Sequence, residues 1–326
     1  MPSEPERGAA TAPRKIIIDT DPGQDDAIAL LLALASPELE VLGITAVAGN
    51  VPLALTEKNA RKIRDLAGRP GVPVYAGADR PLRRALVTAE HVHGRTGLDG
   101  PDLPEPAAPL AEGHAVDFLV ETLRREEPGG VTLCVLGPFT NIALAFERAP
   151  DVVGRVREIV AMGGGGFEGG NVTPVAEFNI YVDPHAAKAV LSAAADAGTP
   201  VTMLPLDVTH KAITRADRIA GIGALGTPVA ATVVALLEFF ERFDEEKYGT
   251  DGGPLHDPCV IAWLLAPEIF AGRLVNVEIE TDSALTLGQT VVDWWGVTDR
   301  PRAVRFLREI DADAFFALLT ERLGRL

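Results

Sequence analysis

The segment Asp19-Thr20-Asp21-Pro22-Gly23-Gln24-Asp25-Asp26 places four carboxylates within eight positions, around a Pro-Gly turn. Charges of one sign this close repel, and removing them from water is costly unless something compensates. Two compensators fit. The amides of a helix N-terminus can take one or two carboxylates, leaving the rest in solvent. Alternatively, a hard divalent cation gathers them, and an all-oxygen donor set selects Ca2+ or Mg2+ over zinc. The second reading is favoured because the acids follow a run with the character of a buried strand.

Other segments carry compatible chemistry. In His256-Asp257-Pro258 a loop turns into an apolar helix. Asp257 alone is an ordinary helix cap and His256 alone an ordinary loop histidine; together they suit a metal ligand beside a proton donor. Leu136-Gly137-Pro138-Phe139-Thr140-Asn141 follows an apolar run and can offer a backbone carbonyl to a cation. Met162 to Gly166, Asn171 and Glu177-Phe178-Asn179 supply amide and carboxylate groups suited to sugar hydroxyls. The glycine cluster is not a phosphate-cradling P-loop, because no Gly-Lys-Ser/Thr follows it at a helix entry.

The elements that must position these residues alternate. Lys15 to Asp19 reads as a buried strand, Asp26 to about Pro37 as a helix, and Leu39 to Val47 as a second strand. A helix over Thr56 to Leu66 and a strand over Val72 to Tyr75 follow. Helices are predicted at 115–125, 140–148, 184–195, 227–246, 257–265 and 311–322, and strands at 131–136, 156–162, 201–205 and 274–281. Alternation of this kind predicts an α/β fold: a single domain with a Rossmann-like, mostly parallel sheet flanked by helices. Ligands in such sheets bind beyond the carboxyl ends of the strands, where the polar segments above fall. The Gly/Pro-dense stretch Gly94 to Gly113 reads as a long functional loop over the sheet. No repeat and no linker divides the chain, so residues 15–326 are expected to form one domain. Residues 1–14 are expected to form a disordered tail without the apolar core of a secretory leader.

Bulk properties narrow the partners. Hydrophobic residues make up 47% of 326, enough for a large core, yet the apolar runs are too short for a bilayer. A formal charge of −16, from 46 acidic and 30 basic residues, argues against a nucleic-acid partner. Cys134 and Cys259 sit in apolar surroundings without metal-type spacing, as expected of buried free thiols in a reducing cytoplasm.

At this point the sequence resembles a known family. Asp19 to Ala27 is similar to the N-terminal DxDPGxDDA signature of the inosine-uridine nucleoside hydrolases. Thr45 to Asn50, His93-Gly94, Gly137 to Asn141, Met162 to Gly164, Glu177 to Asn179 and His256 to Pro258 resemble family motifs in the same order. The likeness runs from Lys15 into the last hundred residues.

The resemblance implies a nucleoside hydrolase fold and a calcium-dependent enzyme that cleaves the N-glycosidic bond of ribonucleosides. It implies one Ca2+ held by the carboxylates of Asp21, Asp26 and Asp257 and by the main-chain carbonyl of Leu136. The family often has Thr at the Leu136 position, a change that leaves a backbone ligand intact. Asp21 is further implied as general base, and Asp25, Asn50, Glu177 and Asn179 as ribose clamps, with Asn171 and Met162 at the 5′ end. His256 is the implied acid toward the departing base, suited to neutral pH by an unperturbed pKa near 6.5. His93, Phe178 and Tyr248 are implied around the base. A cytoplasmic homodimer or homotetramer is the family expectation. Two alternatives stand beside this reading. One is a non-catalytic ribonucleoside-binding protein on the same fold. The other is a DxD phosphatase, which needs Asp19 as nucleophile and leaves Asp25-Asp26 without a role.

Overall fold

The computed structural model describes residues 12–248 and 252–326, with the side chains of 243–248 outside the description. Its strands are β1 (Arg14–Thr20), β2 (Leu39–Ala46), β3 (Val74–Ala76), β4 (Val131–Val135), β5 (Val156–Met162), β6 (Val201–Leu204), β7 (Phe270–Ile279), β8 (Thr290–Asp293) and β9 (Val304–Ile310). They form one sheet in the order β3-β2-β1-β4-β5-β6-β9-β7-β8. From β3 through β9 every pairing is parallel. β7 runs antiparallel to both β9 and β8. The expected α/β architecture is present, with a mixed edge that the sequence reading missed.

The strand order fixes where a ligand can sit. The chain leaves β1 for β2 and β3 on one side, then returns to β4 on the other. Connections therefore diverge between β1 and β4, which opens a crevice at the carboxyl ends of those two strands. The acidic segment follows β1, and Leu136 follows β4.

Helices cover both faces. All eleven residues of helix Gln24–Leu34 are buried, so it is a core helix rather than a surface one. It packs with helices Leu53–Leu66, Pro258–Leu265 and Ala312–Leu323 on one face of the sheet. Helices Ala115–Arg125, Thr140–Arg148 and Pro184–Ala197 cover the other. Among the described residues no helix is long and apolar enough to cross a membrane. The two cysteines are buried and free.

The structure departs from expectation at several points. Arg14 is not part of a tail: it pairs with Leu39, and its guanidinium reaches Thr132 at 2.8 Å and Glu158 at 2.7 Å. The rest of the expected tail, residues 1–11, lies outside the described residues. The last strands, β8 and β9, and the short helices Phe178–Val182 and Leu206–Thr209 were not foreseen. β8 and the two helices, of four or five residues each, are too short for periodicity to mark them; β9 has seven.

Candidate active site

The floor of the crevice is built by the turn after β1. Gly23 caps the helix that follows, and Asp26, three residues on, accepts from the Gly23 amide at 2.9 Å. Its other oxygen takes the Thr20 hydroxyl at 2.5 Å. Asn50, just beyond β2, braces the same turn. Its backbone N–H donates to Asp21 Oδ2 at 2.7 Å, and its side-chain amide donates to Asp21 O at 3.1 Å and Asp26 Oδ2 at 3.2 Å. Asp21 Oδ1 is buried with no partner among the described residues. Gly49 and Gly137 flank that carboxylate so closely that a Cβ at either position would collide with it.

Asp25, Asp26 and Asp257 bring carboxylate oxygens within 4.8 Å of one another, all three buried. The sequence reading grouped Asp21 with Asp26 and Asp257 and set Asp25 on the sugar. Here Asp25 joins the cluster, and Asp21 lies beside it with one oxygen unsatisfied. Burial raises all four carboxyls above their ordinary range, Asp25 to about 8, and mutual repulsion reinforces the rise in Asp21, Asp25 and Asp257. Hydrogen bonds from Thr20, Gly23 and Asn50 oppose the rise. Buried carboxylates this close to one another require a proton or a cation between them. The donor set is all oxygen and short of positive charge, so it fits a hard divalent cation.

Above this floor opens a cavity of about 290 Å³, lined by Asp25, Asn50, His93, Leu136, Met162, Asn171, Glu177, Phe178, Asn179, Phe240, His256 and Asp257, among others. Asp21 and Asp26 lie behind that lining. Every other expected site residue described with its side chain reaches the cavity. Tyr248 ends helix Pro228–Tyr248, but its side chain lies outside the described residues.

One side of the cavity is held by Glu177. It caps helix Phe178–Val182, accepting from Asn179 N at 2.9 Å and Ile180 N at 3.1 Å, and also from Gly164 N at 2.9 Å. Burial raises its carboxyl to about 7. Asn179 donates to the Leu136 carbonyl at 2.6 Å, and Asn171 accepts from Phe178 N at 3.0 Å. Asp207 fastens the glycine-rich turn after β5, accepting from Gly166 N and Phe167 N, each at 2.7 Å.

The opposite side is aromatic. Phe240 stacks on His93, with ring centroids 5.7 Å apart, and meets His256 edge-on at 6.5 Å. His256 Nδ1 lies 2.8 Å from Thr209 Oγ1, and His93 Nδ1 lies 2.7 Å from Gln24 Oε1. Burial pushes both imidazoles down to about 3. The His256 ring, half-buried at the cavity wall, is thus shifted from its unperturbed value near 6.5 toward the neutral form.

Sequence reasoning missed His210, which lines the cavity with its ring 5.8 Å from that of His256. It also missed Thr209 and Gln24. A scan for polar residues after each strand would have reached Thr209-His210, which follow β6. The phosphatase alternative fails on geometry. Asp19 points into the protein, where Oδ1 accepts from Thr45 Oγ1 at 2.5 Å and from Asn141 Nδ2 at 2.8 Å.

Comparison with known proteins identifies the family. Residues 16–317 match the family model described as inosine-uridine preferring nucleoside hydrolase. "Uncharacterized protein C1683.06c" of Schizosaccharomyces pombe is 58% identical, over 96% of this chain and 99% of that one. The pyrimidine-specific ribonucleoside hydrolase RihA of Salmonella agona is 48% identical, over 94% of this chain and 97% of its own. Among solved structures, the purine-preferring ribonucleoside hydrolase from Gardnerella vaginalis superposes with a TM-score of 0.88 at 29% identity, covering 95% and 98% of the two chains. The plant nucleoside hydrolase PpNRh1 also gives 0.88, at 32% identity and 96% and 99% coverage. With the motifs, the fold and the acidic cavity all in register, the chain is an enzyme that belongs to the inosine-uridine preferring nucleoside hydrolase family.

Proposed function

We propose that the chain hydrolyses the N-glycosidic bond of ribonucleosides, releasing free base and ribose, with Ca2+ as its cofactor. Asp25, Asp26 and Asp257, the Leu136 carbonyl and the adjacent Asp21 would hold the ion. When bound, it supplies Lewis acidity toward water and sugar hydroxyls. The chain's own groups account for the rest. Asp21 is the general base: Oδ2 is anchored by the Asn50 amide, and Oδ1 is left to take a proton from the attacking water. Asp25, Asn179 and Glu177 hold the ribose, with Asn171 and Met162 toward its 5′ end, as positive charge develops at the anomeric carbon. His256, His93 and Phe240 receive the base. His256, neutral when buried, stabilises the departing base by donating a hydrogen bond rather than as an imidazolium.

The observation that carries this reading is the unpartnered Oδ1 of Asp21 beside a buried carboxylate cluster, under a cavity walled by histidines. Relatives named pyrimidine-specific share 48% of positions, and the purine-preferring structural neighbour shares 29%. Uridine and cytidine are accordingly the first substrates to test, then inosine. The decisive experiment pairs metal analysis of the purified protein with a nucleoside panel scored for ribose release. Release of ribose from uridine, little from 2′-deoxyuridine, and calcium near one ion per chain are expected. Nucleosides that bind but return intact would establish a binding protein instead.

A further inference from the structure

His93 and His256 line the aromatic side of the cavity, and each commits Nδ1 to a neutral, buried partner. A neutral imidazole carries one N–H and one lone pair, so the partner of one nitrogen fixes what the other presents. For His93 the partner is Gln24 Oε1 at 2.7 Å. The orientation of that amide is set independently, because Gln24 Nε2 donates to the carbonyls of His93 at 3.0 Å and Asp99 at 3.1 Å. An amide oxygen only accepts. His93 Nδ1 therefore bears the hydrogen, and Nε2 bears the lone pair.

The opposite holds for His256. Its partner, Thr209 Oγ1, belongs to a fully buried residue, and this is the hydrogen bond that the hydroxyl makes among the described residues. Were His256 Nδ1 the donor, the hydroxyl hydrogen would be buried with nothing among the described residues to accept it, the costly state for a polar group. Thr209 therefore donates, and the hydrogen of His256 resides on Nε2.

We infer that Thr209 and Gln24 are positioning residues that fix opposite tautomers in the two histidines, so that the cavity presents a donor at His256 Nε2 and an acceptor at His93 Nε2. The substrate side of this inference rests on the nucleoside hydrolase reading above; the tautomers rest on the hydrogen bonds alone. It divides the labour between the rings. Of the two, His256 donates to charge building on a departing base, while His93 receives an N–H of that base or of water. No proton changes hands in this arrangement.

Nitrogen-15 labelled protein, with imidazole signals assigned through His93→Ala and His256→Ala, tests the tautomers by long-range proton–nitrogen correlation spectra. An Nε2–H pattern for His256 and an Nδ1–H pattern for His93 are expected. Thr209→Val keeps the side-chain shape and removes the hydroxyl. It should abolish the single Nε2–H pattern of His256 and lower kcat on uridine at least tenfold with KM nearly unchanged. Thr209→Ser should restore both, and turnover of nitrophenyl riboside, whose leaving group needs no hydrogen bond, should move less than twofold. A wild-type spectrum with Nδ1–H at His256 or Nε2–H at His93 overturns the inference even if Thr209→Val does not fold. A folded Thr209→Val with unchanged spectrum and kcat overturns it too. Correct tautomers in a protein that releases base from no nucleoside would refute the functional reading and leave the tautomers standing.

Discussion

Withdrawing the proposed calcium ion should make the stability of this protein fall as pH rises, and the size of the effect follows from the buried carboxylates. A carboxyl whose pKa is higher in the fold than in the unfolded chain binds more protons when folded, across the interval between the two values. The metal-free fold therefore loses stability as pH rises through that interval. Asp25 moves from an ordinary 3.8 to about 8, so the range from pH 5 to pH 7 lies inside its interval. Across those two pH units this single group costs about 3 kcal/mol, at about 1.4 kcal/mol for each unit. At about 2 cal/mol/K per residue, the unfolding entropy of 326 residues is about 0.7 kcal/mol/K. The melting temperature of chelated protein should thus drop by about 4 °C between pH 5 and pH 7 from Asp25 alone. Asp21, Asp26 and Asp257 shift in the same direction and enlarge the drop. Asp19 and Glu177, each raised to about 7, contribute to both forms, so the informative quantity is the gap between calcium-loaded and chelated samples. Thermal melts in chelator and in millimolar calcium, repeated across this range, should show the gap widening as pH rises. Parallel curves would refute the reasoning, because they would mean that the cluster neither repels itself nor binds the ion.

Asp21→Asn should reduce turnover at least a thousandfold with the circular dichroism spectrum unchanged, since the substitution keeps the Asn50 contact and removes the base. Full activity in the variant would contradict that role. His256→Ala should lower kcat on uridine about a hundredfold while sparing nitrophenyl riboside, measured by release of base and of nitrophenolate; equal losses on both would count against a leaving-group role. Gly49→Ala drives a methyl into the Asp21 carboxylate. It should weaken calcium affinity at least tenfold by titration calorimetry, with a melting temperature in chelator lower by a few degrees; wild-type affinity would show that Asp21 lies outside the ion's reach.

How far the sequence could be read depended on whether a residue's role is set locally or across the sheet. The strand ends were legible because buried parallel strands are continuous apolar runs, and the polar residues after β1, β4 and β5 stand out against them. The acidic segment was legible for the same reason, but the membership of the cluster was not: Asp25, expected on the sugar, joins Asp26 and the distant Asp257. Asn50 was read as a sugar ligand from the family resemblance, and Glu177 from its residue type and the resemblance together. Both line the cavity, yet each also spends hydrogen bonds on the frame, Asn50 bracing a turn twenty-nine positions earlier and Glu177 capping a helix and binding Gly164. Such double duty depends on partners that no spacing rule brings together. The same holds for the aromatic wall. His256 was found because it neighbours Asp257, but its state is decided by Thr209, forty-seven positions away on a helix of four residues. An unperturbed imidazole would titrate near neutrality; this one is stripped of water and tied to a hydroxyl, so its chemistry becomes that of a fixed N–H donor. The sequence therefore identified most of the side chains that meet at the crevice, and the contact of the short helix after β6 with His256 determines what one of them can do there.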